Sequence, residues 1–192
     1  MPLQVDQVLV GSFGNIFVAD AGTELPTDYD AAVTAITSET DFHSLGYVDE
    51  NGISFTSGKT QTDIPSWQTA DPIRTILTGR TGSFTAALMQ INEETLPFAL
   101  GGGAWTQGAG DEFVYEFPLA SDAAPEHAML IDVEDGETQI IIGFYRAIVT
   151  GDVTTQWVRG AAAKLPLTVS LLADADALNI GRIVGSVPVT AS

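Results

Sequence analysis

Apolar and polar residues alternate along most of the chain in short runs separated by Gly, Pro and Asp/Asn-rich breaks, a period of two that predicts β-strands. The signal is densest in Lys59–Gly103. Ile73, Thr75 and Leu77 alternate there with Arg74, Ile76 and Thr78, and Phe84, Ala86 and Leu88 with Thr85, Ala87 and Met89. Gly79-Arg80-Thr81-Gly82 between the two runs is turn-competent, so the pattern predicts an antiparallel hairpin. Ahead of it, Lys59–Ile64 reads as a strand stopped by Pro65, and Trp67 stands alone among polar residues. Behind it, Asn92–Phe98 predicts a short helix with Glu93 and Glu94 capping its positive end, closed by Gly101-Gly102-Gly103.

The same reading extends to both sides. Gln7–Asp20 holds a first strand, and Gly11 and Gly14 break its early part, which suggests a flexible arm over residues 1–10. Residues 22–45 form a long loop with a turn at Leu25–Asp28 and a short helix over Asp28–Ile36. Gly46–Phe55 predicts a hairpin turning at Asp49-Glu50-Asn51-Gly52, because Asn-Gly is a strong hairpin cue. Ala104–Glu112 reads as a Gly-rich loop around Trp105. Strands follow at Phe113–Pro118, His127–Asp132, Thr138–Val149, Leu165–Leu172 and Gly181–Val187, with a turn at Val133–Gly136 and a further pairing segment at Thr154–Val158. The sum is a mainly β fold, a β-sandwich or barrel with one or two short helices, an extended N-terminal arm and long loops.

Length changes this picture little: 192 residues suit a single domain with an adequate core. No apolar run reaches the roughly 18 residues that cross a bilayer, and the N-terminus lacks the basic region of a secretory signal. There is no cysteine, so no disulfide framework or thiolate chemistry. Charge changes the picture more. Twenty-five acids against seven bases give −18, and residues 1–50 hold nine acids and no Lys or Arg. Such a chain repels nucleic acid, whose binding relies on cations neutralising phosphates. General solubility or adaptation to high salt would leave the same mark.

No catalytic, cofactor-binding or metal-ligating constellation emerges. Gly58-Lys59-Thr60 lacks the leading glycine of a phosphate loop, since position 53 is Ile53. Asp49–Gly52 and Asp132–Gly136 lack the spaced carboxylates of a calcium loop and read as turns. His43 and His127 have no ligand-spaced partner. Trp67, Trp105 and Trp157 lack the interleaved cations of a single-strand groove and read as core or subunit-interface anchors.

Gly22-Thr23-Glu24-Leu25-Pro26-Thr27, then Leu45-Gly46-Tyr47-Val48-Asp49-Glu50-Asn51-Gly52-Ile53, then Thr62-Asp63-Ile64-Pro65-Ser66-Trp67, Pro72-Ile73-Arg74 and Glu93-Glu94-Thr95 follow one another in an order that resembles the major tail tube proteins of long-tailed phages infecting actinobacteria. The resemblance covers residues 10–100 well and the rest only as a strand pattern. The hairpin turn is Asn-Gly where that family often has Asp-Gly, and the residues around Trp67 lack its frequent glycines. The resemblance implies a non-enzymatic virion protein, assembled in the host cytoplasm. Its subunits would form hexameric rings, stacked into a hollow tail tube that conducts DNA during ejection. Its partners would be its own copies and the tape measure, tail terminator and tail-tip proteins, with no cofactor and no membrane. An acidic lumen would repel the passing DNA. Within this expectation Lys59–Gln90 builds the tube, and Trp67, Arg74, Ile73, Trp105 and Trp157 are the interface candidates. The alternative is a binding module of the virion, at the tail tip or decorating the capsid.

Overall fold

Strand-forming alternation and two short capped helices account for the architecture of the chain. A computed structural model describes residues 8–119, 121–136, 138–177 and 179–186. In chain order these form β1 (Phe13–Asp20), α1 (Tyr29–Ser38), β2 (His43–Ser44), β3 (Ser54–Ile64), β4 (Arg74–Leu88), α2 (Thr95–Ala99), β5 (Ala104–Gln107), β6 (Phe113–Glu116), β7 (His127–Asp135), β8 (Thr138–Val149), β9 (Leu165–Leu172) and β10 (Gly181–Ser186). The main sheet runs β2-β1-β7-β8-β9-β4-β3, with β10 paired to β8, and β5–β6 form a separate hairpin. All pairings are antiparallel.

The sheet curls over a single interior. The chain from β2 onward hydrogen-bonds first to β1 and then to β4. Leu45 N donates to Ile16 O, Asp49 N to Ala87 O, and Met89 N to Tyr47 O. These bonds bring β1 and β4 to the same segment and close the sheet on itself, which leaves fewer open edges. Inside lie Phe84, Leu88, Met129, Ile131, Phe144, Leu167 and Val169. On the outer face of β1, β7 and β8, Phe17, Leu130 and Ile141 form a second buried layer under α1. Thus Ile16 and Val18 point into one layer and Phe17 and Ala19 into the other, and β1 is buried on both faces from Ile16 to Ala19.

The α1 helix begins where Asp28 accepts a hydrogen bond from Ala31 N at 2.9 Å, satisfying one orphan amide of the first turn. It ends at Glu39, which takes the left-handed conformation. The long loop expected over residues 22–45 therefore contains a helix and a strand. Residues 1–7 of the expected arm, and Val187 of the last strand, lie outside the described residues.

Five local expectations are corrected. Gly79-Arg80-Thr81-Gly82 is not a turn: β4 runs straight through it, each residue paired with β3 from Thr60 back to Ser57. Both glycines stay out of the left-handed region, and Gly82 instead makes room, since a Cβ there would lie 2.9 Å from Ile180 and 3.1 Å from Leu171. The Asp49–Gly52 turn exists, with Gly52 N donating to Asp49 O at 2.9 Å, but the residues flanking it pair with β4 and not with each other. Ala104–Gln107 is a strand, aligned by Trp105 stacked on Phe113 at 4.1 Å between centroids. Thr154–Val158 forms no strand. The cap of α2 is Asn92, whose Oδ1 accepts from Glu94 N and Thr95 N; Glu94 makes no side-chain cap bond.

Candidate assembly surface

The register places the exposed features. β9 pairs β4 only from Gly82 to Leu88. Residues 57–81 therefore form a two-stranded ribbon and its tip, held by their own bonds. Thr75 Oγ1 donates to Asp63 Oδ1 at 2.6 Å, Thr78 Oγ1 to Thr60 O at 3.2 Å, and Ile73 N to Ile64 O at 3.0 Å. A register shift at Thr60/Gln61 adds local twist. None of residues 57–81 is buried. Trp67 at the tip is 99% exposed and Ile73 65%, with Ile76 and Leu77 exposed beside them. Two strands alone are marginal in water. The outer edge of β3 is also the end of the sheet, with backbone donors and acceptors that no strand among the described residues pairs.

Of the five interface candidates, three lie together on this ribbon: Trp67, Ile73 and Arg74. Trp105 does not join them. It is packed in the β5–β6 hairpin, with its indole Nε1 buried and without a hydrogen-bond partner among the described residues. Trp157 lies on the segment between β8 and β9 and is 76% exposed, so it is no core residue.

A cleft of about 860 Å³ opens elsewhere, between Gly11–Asn15 and Gly46–Ile53, with Gln90 and Val133 below. Phe13 (58% exposed) and Tyr47 (71%) form its apolar lips. The sequence does not reveal it, because Phe13 looks like an ordinary strand residue and the pattern around Tyr47 predicts a hairpin arm. Beneath it, buried Asp49 accepts from Lys164 Nζ at 2.9 Å and from Asn51 Nδ2 at 2.7 Å. The bond from Lys164 holds the Asp49 carboxyl below the usual carboxylate range. Val10 N donates to Asp135 Oδ2 at 2.7 Å and Ser12 N to Glu134 O at 3.0 Å, keeping the start of the described chain along one rim.

Two further polar groupings are present. His43 and His127, remote in sequence, meet at a second cleft of about 270 Å³ with Asp20, Asp41, Glu93 and Glu94. Burial lowers the His127 pKa, and its Nε2 is buried without a hydrogen-bond partner among the described residues. No three such side chains among the described residues are placed to hold a metal ion. Asp132 is buried between β1 and β8, and burial raises its pKa, while Gln139 Nε2 donates to it at 2.9 Å and also to Glu134. Tyr29 of α1 donates to Gln139 Oε1 at 2.6 Å, so this network ties the helix to the sheet.

No helix among the described residues is long and apolar enough to cross a membrane. A family model described as phage tail tube protein matches residues 1–184. No curated protein matches the chain. Among solved structures, a chain from the virion of a native gene transfer agent particle is similar, with a TM-score of 0.39 and 12% identity over 76% of this chain and 88% of that one.

Proposed function

The chain belongs to the phage tail tube protein family, a structural family of the virion, and on that premise we propose that its copies close into hexameric rings that stack into the hollow tube of a phage tail. The observation that carries this reading is the ribbon of residues 57–81, which has no buried residue and ends in a fully exposed Trp67. A soluble protein that stays monomeric rarely keeps such an element uncovered, because apolar surface left in water forgoes about 25 cal/mol per Å². Packing against neighbouring copies covers the ribbon and pairs the free edge of β3, and closing a ring leaves no open edge.

DNA passes through the bore on ejection without specific contacts. Each subunit brings −18 of charge, and an acidic wall repels the polyanion by like charge. The tube meets the tape measure within it, and the terminator and tail-tip proteins at its ends. Assembly takes place in the host cytoplasm, and the protein has no enzymatic role. Electron microscopy of concentrated protein across a range of salt tests this, with stacked rings expected and persistent monomers contrary to it. A low-salt gel shift with duplex DNA tests the repulsive bore, where retention of the DNA would contradict it.

A further inference from the structure

We propose that the ribbon of one copy docks in the Gly11–Asn15/Gly46–Ile53 cleft of the next, its cations meeting the carboxylates at that cleft. The proposal rests on the tube reading and names the surface that receives the ribbon.

Charge carries the first step. Residues 57–81 hold Lys59, Arg74 and Arg80 against Asp63 and Asp71, a net +1, so the remainder of this −18 chain is −19. Three of the four cations elsewhere are already engaged. Arg146 is bidentate to Glu126 at 2.7 and 2.8 Å, Lys164 binds Asp49, and Arg182 donates to Pro26 O and Tyr145 OH. The side chains of Lys59, Arg74 and Arg80 make no hydrogen bond or ion pair among the described residues. The ribbon is therefore a cationic, unpartnered element on a strongly anionic body, and the body of another copy is its electrostatic complement.

Backbone and shape carry the second step. β2 pairs β1 only at Phe17 and Val18, and Leu45 N reaches Ile16 O, which leaves Phe13–Asn15 as a free strand edge along the cleft among the described residues. The outer edge of β3 is free as well. Strand addition joins two such edges through main-chain hydrogen bonds. The lips Phe13 and Tyr47 offer apolar surface to Ile73, Ile76 or Leu77, and Glu50 in the lining with Asp135 at the rim offers carboxylates to Arg74 and Arg80. Docking there also withdraws the ribbon cations from the bore, so the wall left exposed to DNA is the more uniformly acidic.

The test uses the full chain and its lack of cysteine. Arg74→Glu with Arg80→Glu is expected to raise the concentration needed for assembly by about tenfold or more, with circular dichroism unchanged because neither residue is buried. Adding Glu50→Arg and Asp135→Arg to the same chain restores assembly. Separately, copies carrying Ile76→Cys and differently tagged copies carrying Tyr47→Cys form a mixed disulfide on oxidation in the assembled state. Undiminished assembly of the reversed variant overturns the docking while leaving the tube intact. Crosslinking of Ile76→Cys to Asp41→Cys at the histidine-bearing cleft in place of Tyr47→Cys moves the ribbon elsewhere and overturns it too. Loss of assembly on deleting residues 2–7, with the charge reversal silent, assigns the cleft to that segment. A wild-type chain that never assembles overturns the tube reading itself.

Discussion

Replacing Trp67 by alanine separates assembly from folding. The indole is 99% exposed at the ribbon tip, so its loss removes almost no contact within one copy. Folding stability is expected to stay within about 0.5 kcal/mol of the wild type, as for surface positions away from special features. Assembly is another matter. Burying an indole removes roughly 200 Å² from water, about 5 kcal/mol before ordering costs. Truncating such an aromatic anchor costs about 2–4 kcal/mol at an interface, a loss of roughly 30- to 800-fold in the association constant. Phe84→Ala is the contrast. Phe84 lies in β4 beyond the ribbon, is fully buried and stacks on Phe144 at 6.3 Å between centroids, and its loss is expected to cost about 3–5 kcal/mol of folding. Urea unfolding of dilute protein gives the first quantity, and sedimentation across a concentration series gives the second. Trp67→Ala lowering folding stability by more than about 1 kcal/mol, or assembling at the wild-type concentration, would refute the reasoning.

Two further outcomes follow from buried carboxyls. Burial raises the Asp132 pKa above the usual carboxylate value, so its contribution to stability is present at low pH and is lost as pH rises through its raised folded pKa. Asp132→Asn is therefore expected to stabilise the fold near neutrality by about 1 kcal/mol, and thermal melts should show the gain disappearing in acid; a gain that persists there contradicts the assignment. Asp49 runs the other way, its pKa lowered chiefly by the bond from Lys164, so its stabilisation is present above the usual carboxylate range and is lost as pH falls through the lowered folded value. Lys164→Ala should then destabilise at neutral pH and converge on the wild type in acid, and a pH-independent difference in urea titrations would count against the pairing.

The strands that sequence reading placed well are those whose alternation is settled by local chemistry. Leu165, Leu167, Val169 and Leu171 point inward with polar or half-buried neighbours between them, and the pattern alone carries that. β8 likewise begins at Thr138 and ends at Val149. The failures share one cause, a residue type with two uses. Glycine permits a turn but also permits close packing, and Gly82 is there for Leu171 and Ile180, partners far away in sequence. Asn51-Gly52 does make a turn, but what its flanking residues pair with is decided by β4, a long-range choice that no local motif encodes. The glycines around Trp105 predict a loop, while its stacking on Phe113 makes a hairpin. Of the surface, Trp67, Ile73 and Arg74 were legible as isolated apolar and cationic residues in a polar, acidic chain. The cleft lips Phe13 and Tyr47 were not, since a free strand edge is defined by what fails to pair with it.

The account turns on residues 57–81 being bare in one copy and covered in the assembly. Hydrogen exchange read by mass spectrometry measures this directly, on dilute monomer and on sedimented assembly in the same buffer. Amides of β3 and the distal half of β4 are expected to exchange quickly in the monomer and become strongly protected in the assembly, while those of β7 and β8 in the core are protected in both. Ribbon amides that stay equally exposed in an assembled tube would contradict it.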